Sequence, residues 1–236
     1  MHAASRLRVT VLMTLLAALL LSGCGSLSEF GARESSAPAT PTPSPTPTFS
    51  SQFTRDGTFQ SHVDVDGVDF VFTIWPTKST PRTNLWYPKG NKFFSFTFQA
   101  YDLDQELRDA FKTKRKVWLD RIRVESETTT ESGAVERPYD LDATASRVTF
   151  DPQPVTSKRG MIITSPKGAF ELRNQKIGTL AMDTRGLNLI FRATVHIQRS
   201  AGSRTYYRET IRQRVPIAIF ASDSETKVAK IPVDAN

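Results

Sequence analysis

The chain has 236 residues, 39% of them hydrophobic, with 31 Lys+Arg against 24 Asp+Glu and a formal net charge of +7. A chain of this length buries well over half of its unfolded surface, and with a single cysteine it has no internal disulfide, so an apolar core must hold the fold alone. The moderate basicity points to an anionic surface or an acidic protein as partner and not to nucleic acid.

The first elements along the chain form an address. Arg6 and Arg8 precede an apolar run from Val9 to Leu21, "VTVLMTLLAALLL". A basic flank followed by an apolar stretch of about 7–15 residues is the pattern of a secretory signal, and the run is short of the ~20 residues a bilayer span needs. Ser22, Gly23 and the lone Cys24 follow directly. The "LSGC" stretch resembles the lipobox of bacterial lipoproteins. The resemblance implies that segment 1–23 is removed, that the Cys24 thiol carries a diacylglycerol, and that Cys24 becomes the new N-terminus on the extracytoplasmic face of a bacterial membrane. Two or three acyl chains, at about 0.8 kcal/mol per buried CH₂, make a stable anchor where one chain does not. Loss of Arg6 and Arg8 leaves 29 basic against 24 acidic side chains, a formal +5.

From residue 24 to 50 the composition changes. Prolines at 38, 41, 43, 45 and 47 alternate with Thr and Ser. Such a segment favours extended polyproline II and acts as a semi-rigid spacer, reaching up to ~80 Å at about 3.1 Å per residue. One domain, 51–236, is expected to follow it.

Apolar residues in that domain recur mostly with period two, the pattern of half-buried strands. In "TFQSHVDVDGVDFVFTIW" the Asp66-Gly67 pair suits a two-residue type I′ hairpin. That turn sets Val65 opposite Val68, Val63 opposite Phe70 and Phe59 opposite Ile74, all on one face. A third strand places Phe94, Phe96, Phe98 and Ala100 on one side. Leu103, Leu107 and Phe111 then recur at helical spacing and predict a short amphipathic helix. "VWLDRIRVESE" reads as strand, as do Arg147–Asp151, Gly160–Thr164 and Ala169–Arg173. The final pair is expected as a hairpin closed by a three-residue loop, Ser200 to Gly202, with Val195 facing Tyr207, Phe191 facing Ile211 and Leu187 facing Val215. Many short strands and few helices predict an all-β fold: a two-sheet antiparallel sandwich of immunoglobulin-like architecture with one short helix. The Cys-Trp-Cys hallmark of immunoglobulin domains is absent, so the likeness is one of architecture.

Two clusters carry candidate chemistry. Asp64 falls opposite Asp69 at the first hairpin, with Asp66 at the tip and His62 further down the same face. Like charges so placed repel, and a hard cation such as Ca²⁺ would relieve them. The spacing is not that of an EF-hand loop, and an exposed turn with solvated or arginine-paired carboxylates is the plainer alternative. The second cluster is in the last hairpin, where Arg192, Arg208, Arg212 and Arg214 share the parity opposite to the apolar face, with His196 among them. Guanidinium forks suit carboxylate or phosphate, so this stripe is a candidate for an anionic partner; the alternative is a solvated face that guards against aggregation. "KTKRK", 112–116, reads as a headgroup contact or a solvated loop, and Trp75, Trp86 and Tyr87 as a contact platform or as plugs of the sandwich end.

Catalysis has little support. Beyond the leader, only His62 and His196 remain, in no nucleophile-base or metal-ligand spacing, and no glycine-rich phosphate loop or cofactor motif is present. The function expected is a membrane-anchored binding or envelope-assembly module. A hydrolase acting on envelope polymers is the second reading, one that needs a concave cleft with paired carboxylates or a site built on His62.

Overall fold

The computed structural model describes Phe49 and residues 51–229; the leader 1–23, Cys24 and the spacer apart from Phe49 lie outside the described residues. In chain order the elements are a helical turn α1 (Gln52–Asp56), strands β1 (Phe59–Val65), β2 (Val68–Pro76), β3 (Lys92–Asp102), β4 (Val117–Thr130) and β5 (Asp140–Thr144), a second turn α2 (Ala145–Val148), and strands β6 (Thr156–Ser157), β7 (Gly160–Ile162), β8 (Phe170–Ile177), β9 (Thr184–Gln198) and β10 (Tyr206–Ala218).

The strands form two antiparallel sheets. One has the order β1-β2-β3-β8, and the other β10-β9-β4-β7-β6 with β5 also on β4. Strands β2, β3 and β8 against β10, β9 and β4 reproduce the A-B-E and G-F-C order of an immunoglobulin sandwich. Strand D has no counterpart among the described residues; the chain between β4 and β8 instead widens the six-stranded sheet with β5, β6 and β7.

The first hairpin has the expected register throughout, from Val65↔Val68 to Phe59↔Ile74. Asp66 and Gly67 both have positive φ, at 51° and 73°, as the type I′ turn requires. The alternation of β2, β3 and β8 delivers Phe70, Phe72, Phe94, Phe96, Phe98 and Phe170 to the interior, where all are buried. Phe191 of the facing sheet meets Phe72 and Phe96 at centroid distances of 4.3 and 5.1 Å. Aromatic contacts at these separations add to the area they bury, and they join the two sheets in place of a disulfide.

Three expectations are corrected. Leu103–Phe111 forms no helix. Instead, successive turns close through Gln105 N–H to the Asp102 carbonyl, Asp109 N–H to Glu106 and Thr113 N–H to Ala110. The physical cause is competition from side chains: Asp109 Oδ2 accepts from Glu106 N–H and Asp102 Oδ1 from Asp104 N–H, which diverts donors from a helical ladder. Arg147–Asp151 is not a strand, because Ala145 and Val148, three apart, turn inward together on α2. The last hairpin is shifted by two residues, pairing Ile197 with Tyr207, Ala193 with Ile211 and Leu189 with Val215. Its loop is longer than expected, closing at Arg199 N–H to the Thr205 carbonyl with Gly202 at φ 78°. A shift of two preserves strand parity, so every side chain keeps its assigned face.

One end of the sandwich is sealed by α1 and Trp86. Ser51 Oγ caps α1 by accepting from Thr54 N–H at 3.1 Å, and Phe53 meets the buried Trp86 edge to face at 5.6 Å. Trp86 is therefore a plug, its Nε1–H donated to the Pro81 carbonyl.

The other end is closed by an ion pair. Arg115 is 8% exposed and Lys114 3%, so the basic run 112–116 is solvated at Lys112 and Thr113 but turns inward at its next two residues. The Arg115 guanidinium donates to Asp102 Oδ1 at 2.6 and 2.9 Å, to the Asp66 carbonyl at 2.6 Å and to the Gly67 carbonyl at 2.8 Å, while its backbone N–H reaches Asp102 Oδ2 at 2.7 Å. Gly67 is required here: with φ 73°, an added Cβ would also come within 3.3 Å of Arg115 Nη2. Burial alone would raise the Asp102 carboxyl, but the hydrogen bonds and charge of Arg115 outweigh it and hold the group below its usual range. Beside this end, residues 163–165 lace the two sheets together: Ile163 N–H donates to the Val117 carbonyl, and Ala100 N–H to that of Ile163.

At the first residue of β3 another cation is buried, with no carboxylate partner among the described residues. Lys92 is 0% exposed, and its Nζ donates to the Pro88 and Gly90 carbonyls at 3.1 and 2.8 Å. Burial lowers its pKa from 10.5 to about 8.

These two cations predict different behaviour. Arg115→Met strands the buried Asp102 carboxylate and is expected to cost about 3–5 kcal/mol in denaturant unfolding, part of it recovered when Asp102→Asn is added. Lys92 acts with the opposite sign. Between about 8 and 10.5 the unfolded chain holds the extra proton, so stability should climb with pH across that window and level above it. Unfolding free energies measured from pH 7 to 11 should lose that climb in Lys92→Met.

Candidate functional site

The exterior of the six-stranded sheet is built by β4, β5, β9 and β10. One rung across it reads Asp142, Arg123, Arg192 and Arg212, and the next Asp140, Glu125, Ile190 and Arg214. Side-by-side arginines on neighbouring strands repel unless an acid lies between them. Glu125 does so on one side: it accepts a hydrogen bond from Arg192 and lies 2.6 Å from Arg123. The Arg192 hydrogen bond, working against burial and aided by the charges of Arg192 and Arg123, holds the Glu125 carboxyl below its usual range. The irregularity in β4 between Leu119 and Arg121 gives Asp120 a place on this face, where its Oδ2 lies 3.9 Å from both Arg208 and His196.

The four sequence-assigned arginines therefore share one face but not one environment. Arg192 is neutralised within the sheet. Arg214 Nε donates to Asn188 Oδ1 at 3.0 Å, and Arg212 makes no ion pair among the described residues. Arg208, Arg212 and Arg214 all stand exposed on β10, a strand at the sheet edge. The basic side of this face is its β10 margin, while Glu125, Asp140 and Asp142 balance the β4–β5 side.

The acidic hairpin does not gather its carboxylates. Asp64 and Asp69 are Cα partners, as expected, but each has its own relief. Asp64 Oδ1 accepts from Gly67 N–H at 2.9 Å, and Asp69 Oδ2 pairs with His62 Nδ1 at 2.7 Å. Asp66 lies instead near Tyr207, whose phenol is pushed up to about 12, first by burial and then by that carboxylate. Among the described residues no group of three His, Cys, Asp or Glu side chains is placed to hold a metal ion.

The His62–Asp69 pair lines a groove of about 360 Å³ on the outer face of the four-stranded sheet. The strap that follows β3 overhangs it, presenting Leu103 and Leu107, which are 55% and 64% exposed. Lys114 also lines the groove, its Nζ donated to the Glu106 carbonyl. Among the described residues the His62 ring has Asp69 as its one hydrogen-bond partner.

No protein-family model matches this chain, and no curated protein matches it.

Of the residues that organise this end of the molecule, Lys114 and Arg115 fall within the basic run 112–116, while Asp102 belongs to no motif read from the sequence. A signal for Asp102 was nonetheless present. It continues the inward parity of Phe94, Phe96, Phe98 and Ala100, so β3 carries an acid into the interior and demands a cation there.

Proposed function

We propose that this chain is a lipid-anchored binding module of a bacterial envelope, fastened through Cys24 and presenting its sandwich to an anionic partner. The observation that carries the reading is the β10 margin. Arg208, Arg212 and Arg214 project from one edge strand, and only Asp120 pairs with any of them among the described residues. A strand fixes the spacing of these guanidinium groups, whose planar forks suit carboxylate or phosphate. The anchor supports the same reading from the sequence, since the basic flank, apolar run, small residues and cysteine fall in order at residues 6–24.

A hydrolase acting on envelope polymers is supported by the groove. Asp69 fixes His62 through Nδ1, which leaves Nε2 to accept a proton from a bound water. No hydroxyl or thiol is hydrogen-bonded to that nitrogen among the described residues, so this chemistry would run through water alone. Release of sugar or peptide from purified envelope polymer that is abolished in His62→Gln is its test.

Two measurements check the binding reading. Cys24→Ser should move the protein from the membrane fraction to the soluble one, and the mass of the native product should show a diacylglyceryl group on the thiol. With the anchor removed in this way, Arg208→Glu with Arg212→Glu should weaken retention on anionic vesicles or anionic wall polymer at least about thirtyfold, at roughly 1 kcal/mol per basic residue lost and more for reversal. Retention equal to that of the unreversed protein would sink it.

A further inference from the structure

A second basic surface lies at the Arg115 end of the sandwich. Lys116 precedes β4, Lys158 and Arg159 form the turn between β6 and β7, and Arg204 sits in the β9–β10 loop. With Gln198, Ser203 and Tyr206 they line a cavity of about 430 Å³ whose wall holds no acidic side chain among the described residues. None of the four cations makes an ion pair among the described residues.

The fold holds these charges together. Gly160 has φ 114°, and a Cβ there would fall 2.1 Å from the Leu119 carbonyl oxygen. Glycine thus lets the Lys158–Arg159 turn press directly on β4. The Arg159 guanidinium stacks 4.1 Å above the Tyr206 ring, an arrangement that fixes its plane and leaves its N–H edge available. Gln198, 2% exposed, accepts from Lys116 N–H and donates to the Ser203 carbonyl, which ties the start of β4 to the loop bearing Arg204. Like charges on free loops would move apart; here they are kept around one cavity, with no counter-charge among the described residues.

Lys116 also borders an adjoining trough of about 310 Å³. Its other walls are mainly apolar: Phe111, Trp118, Val155 and Ile162, with Lys167. Val155 is 57% exposed, and the buried Trp118 Nε1 has no hydrogen-bond partner among the described residues. An exposed apolar wall favours occupation by a ligand.

We propose that cleft and trough together bind one anionic amphiphile, its phosphate headgroup among Lys116, Lys158, Arg159 and Arg204 and its apolar tail along Trp118 and Val155. A carboxylate is satisfied by a single guanidinium fork, whereas four converging cations suit a phosphate with its several charged oxygens. The combined space is that of a small-molecule site. No arginine of the β10 margin takes part, so this site and the arginine face stand or fall separately.

The test uses the full chain carrying Cys24→Ser and dihexanoyl phosphatidic acid kept below its micelle threshold, followed by calorimetry. Saturable binding of one molecule per chain is expected, with inorganic phosphate and dihexanoyl phosphatidylcholine each at least about tenfold weaker. Lys158→Glu with Arg159→Glu should weaken the phosphatidic acid at least about tenfold, Lys158→Gln with Arg159→Gln less so, and Arg208→Glu with Arg212→Glu not at all. Trp118→Phe should weaken the amphiphile and leave phosphate unchanged. The melting temperature of each variant shows that it is folded. Absence of saturable binding, or binding that survives reversal at 158 and 159, overturns the proposal. So does phosphate binding as tightly as the amphiphile, or attachment to anionic vesicles without monomer binding, since either removes the single-ligand site.

Discussion

The buried guanidinium of Arg115 is the constraint from which one end of this molecule is arranged. It holds the last residue of β3, the turn of the first hairpin and the residue two before β4 in one hydrogen-bonded knot. The crossing from one sheet to the other happens between Asp102 and Arg115, so the pair fixes where that crossing begins and ends. A buried pair of this kind is weak evidence of added stability, since desolvation offsets most of the attraction. What it supplies is position. The strap of residues 103–113 is pinned at both ends and overhangs the His62 groove, and Lys116 is delivered to the mouth of the basic cleft.

The contrast with Lys92 makes the same point. Both cations sit at an end of β3 or beside it, on the interior side. Arg115 meets a carboxylate and keeps its charge, while among the described residues Lys92 meets two carbonyl oxygens and no acid, and is held nearer to neutrality. A lone buried ammonium is costly. It persists because its two carbonyl partners belong to the loop that carries Trp86 to the sealed end, so the lysine fastens that loop from beneath.

Much of the sheet architecture was legible because strand parity is a strong constraint. The Asp66-Gly67 turn fixed a hairpin register down to Phe59, and parity assigned Arg208, Arg212 and Arg214 to the outer face even though the loop length, and so the register, was wrong by two. Parity tolerates an even error. Local spacing failed where polar side chains compete with the backbone. Leu103, Leu107 and Phe111 match a helix, yet Asp102 and Asp109 take up the donors a helix needs. The β9–β10 loop was misjudged because Gln198, the last residue of a long strand, reaches across the loop mouth to Ser203, a contact that no local pattern encodes. The basic cleft was illegible for a similar reason: Lys116, Lys158 and Arg204 are far apart in sequence and meet only through the packing of Gly160 against β4.

The placement of these surfaces within the domain also bears on how a partner would reach them. The described chain enters the sandwich through α1, beside Trp86 and Ala218, where Ala218 N–H donates to Thr54 Oγ1. The basic cleft lies at the other end of β10, beyond Tyr206, roughly 40 Å away for a 13-residue strand at about 3.3 Å per residue. The β10 margin runs between the two. A partner surface reaching the cleft from beyond the far end would meet Arg208 before Arg212 and Arg214, and one reaching along the sheet would meet all three. The cleft alone therefore lies wholly at the end opposite α1, while the arginine margin spans most of the length of β10, with Arg214 four residues from Ala218.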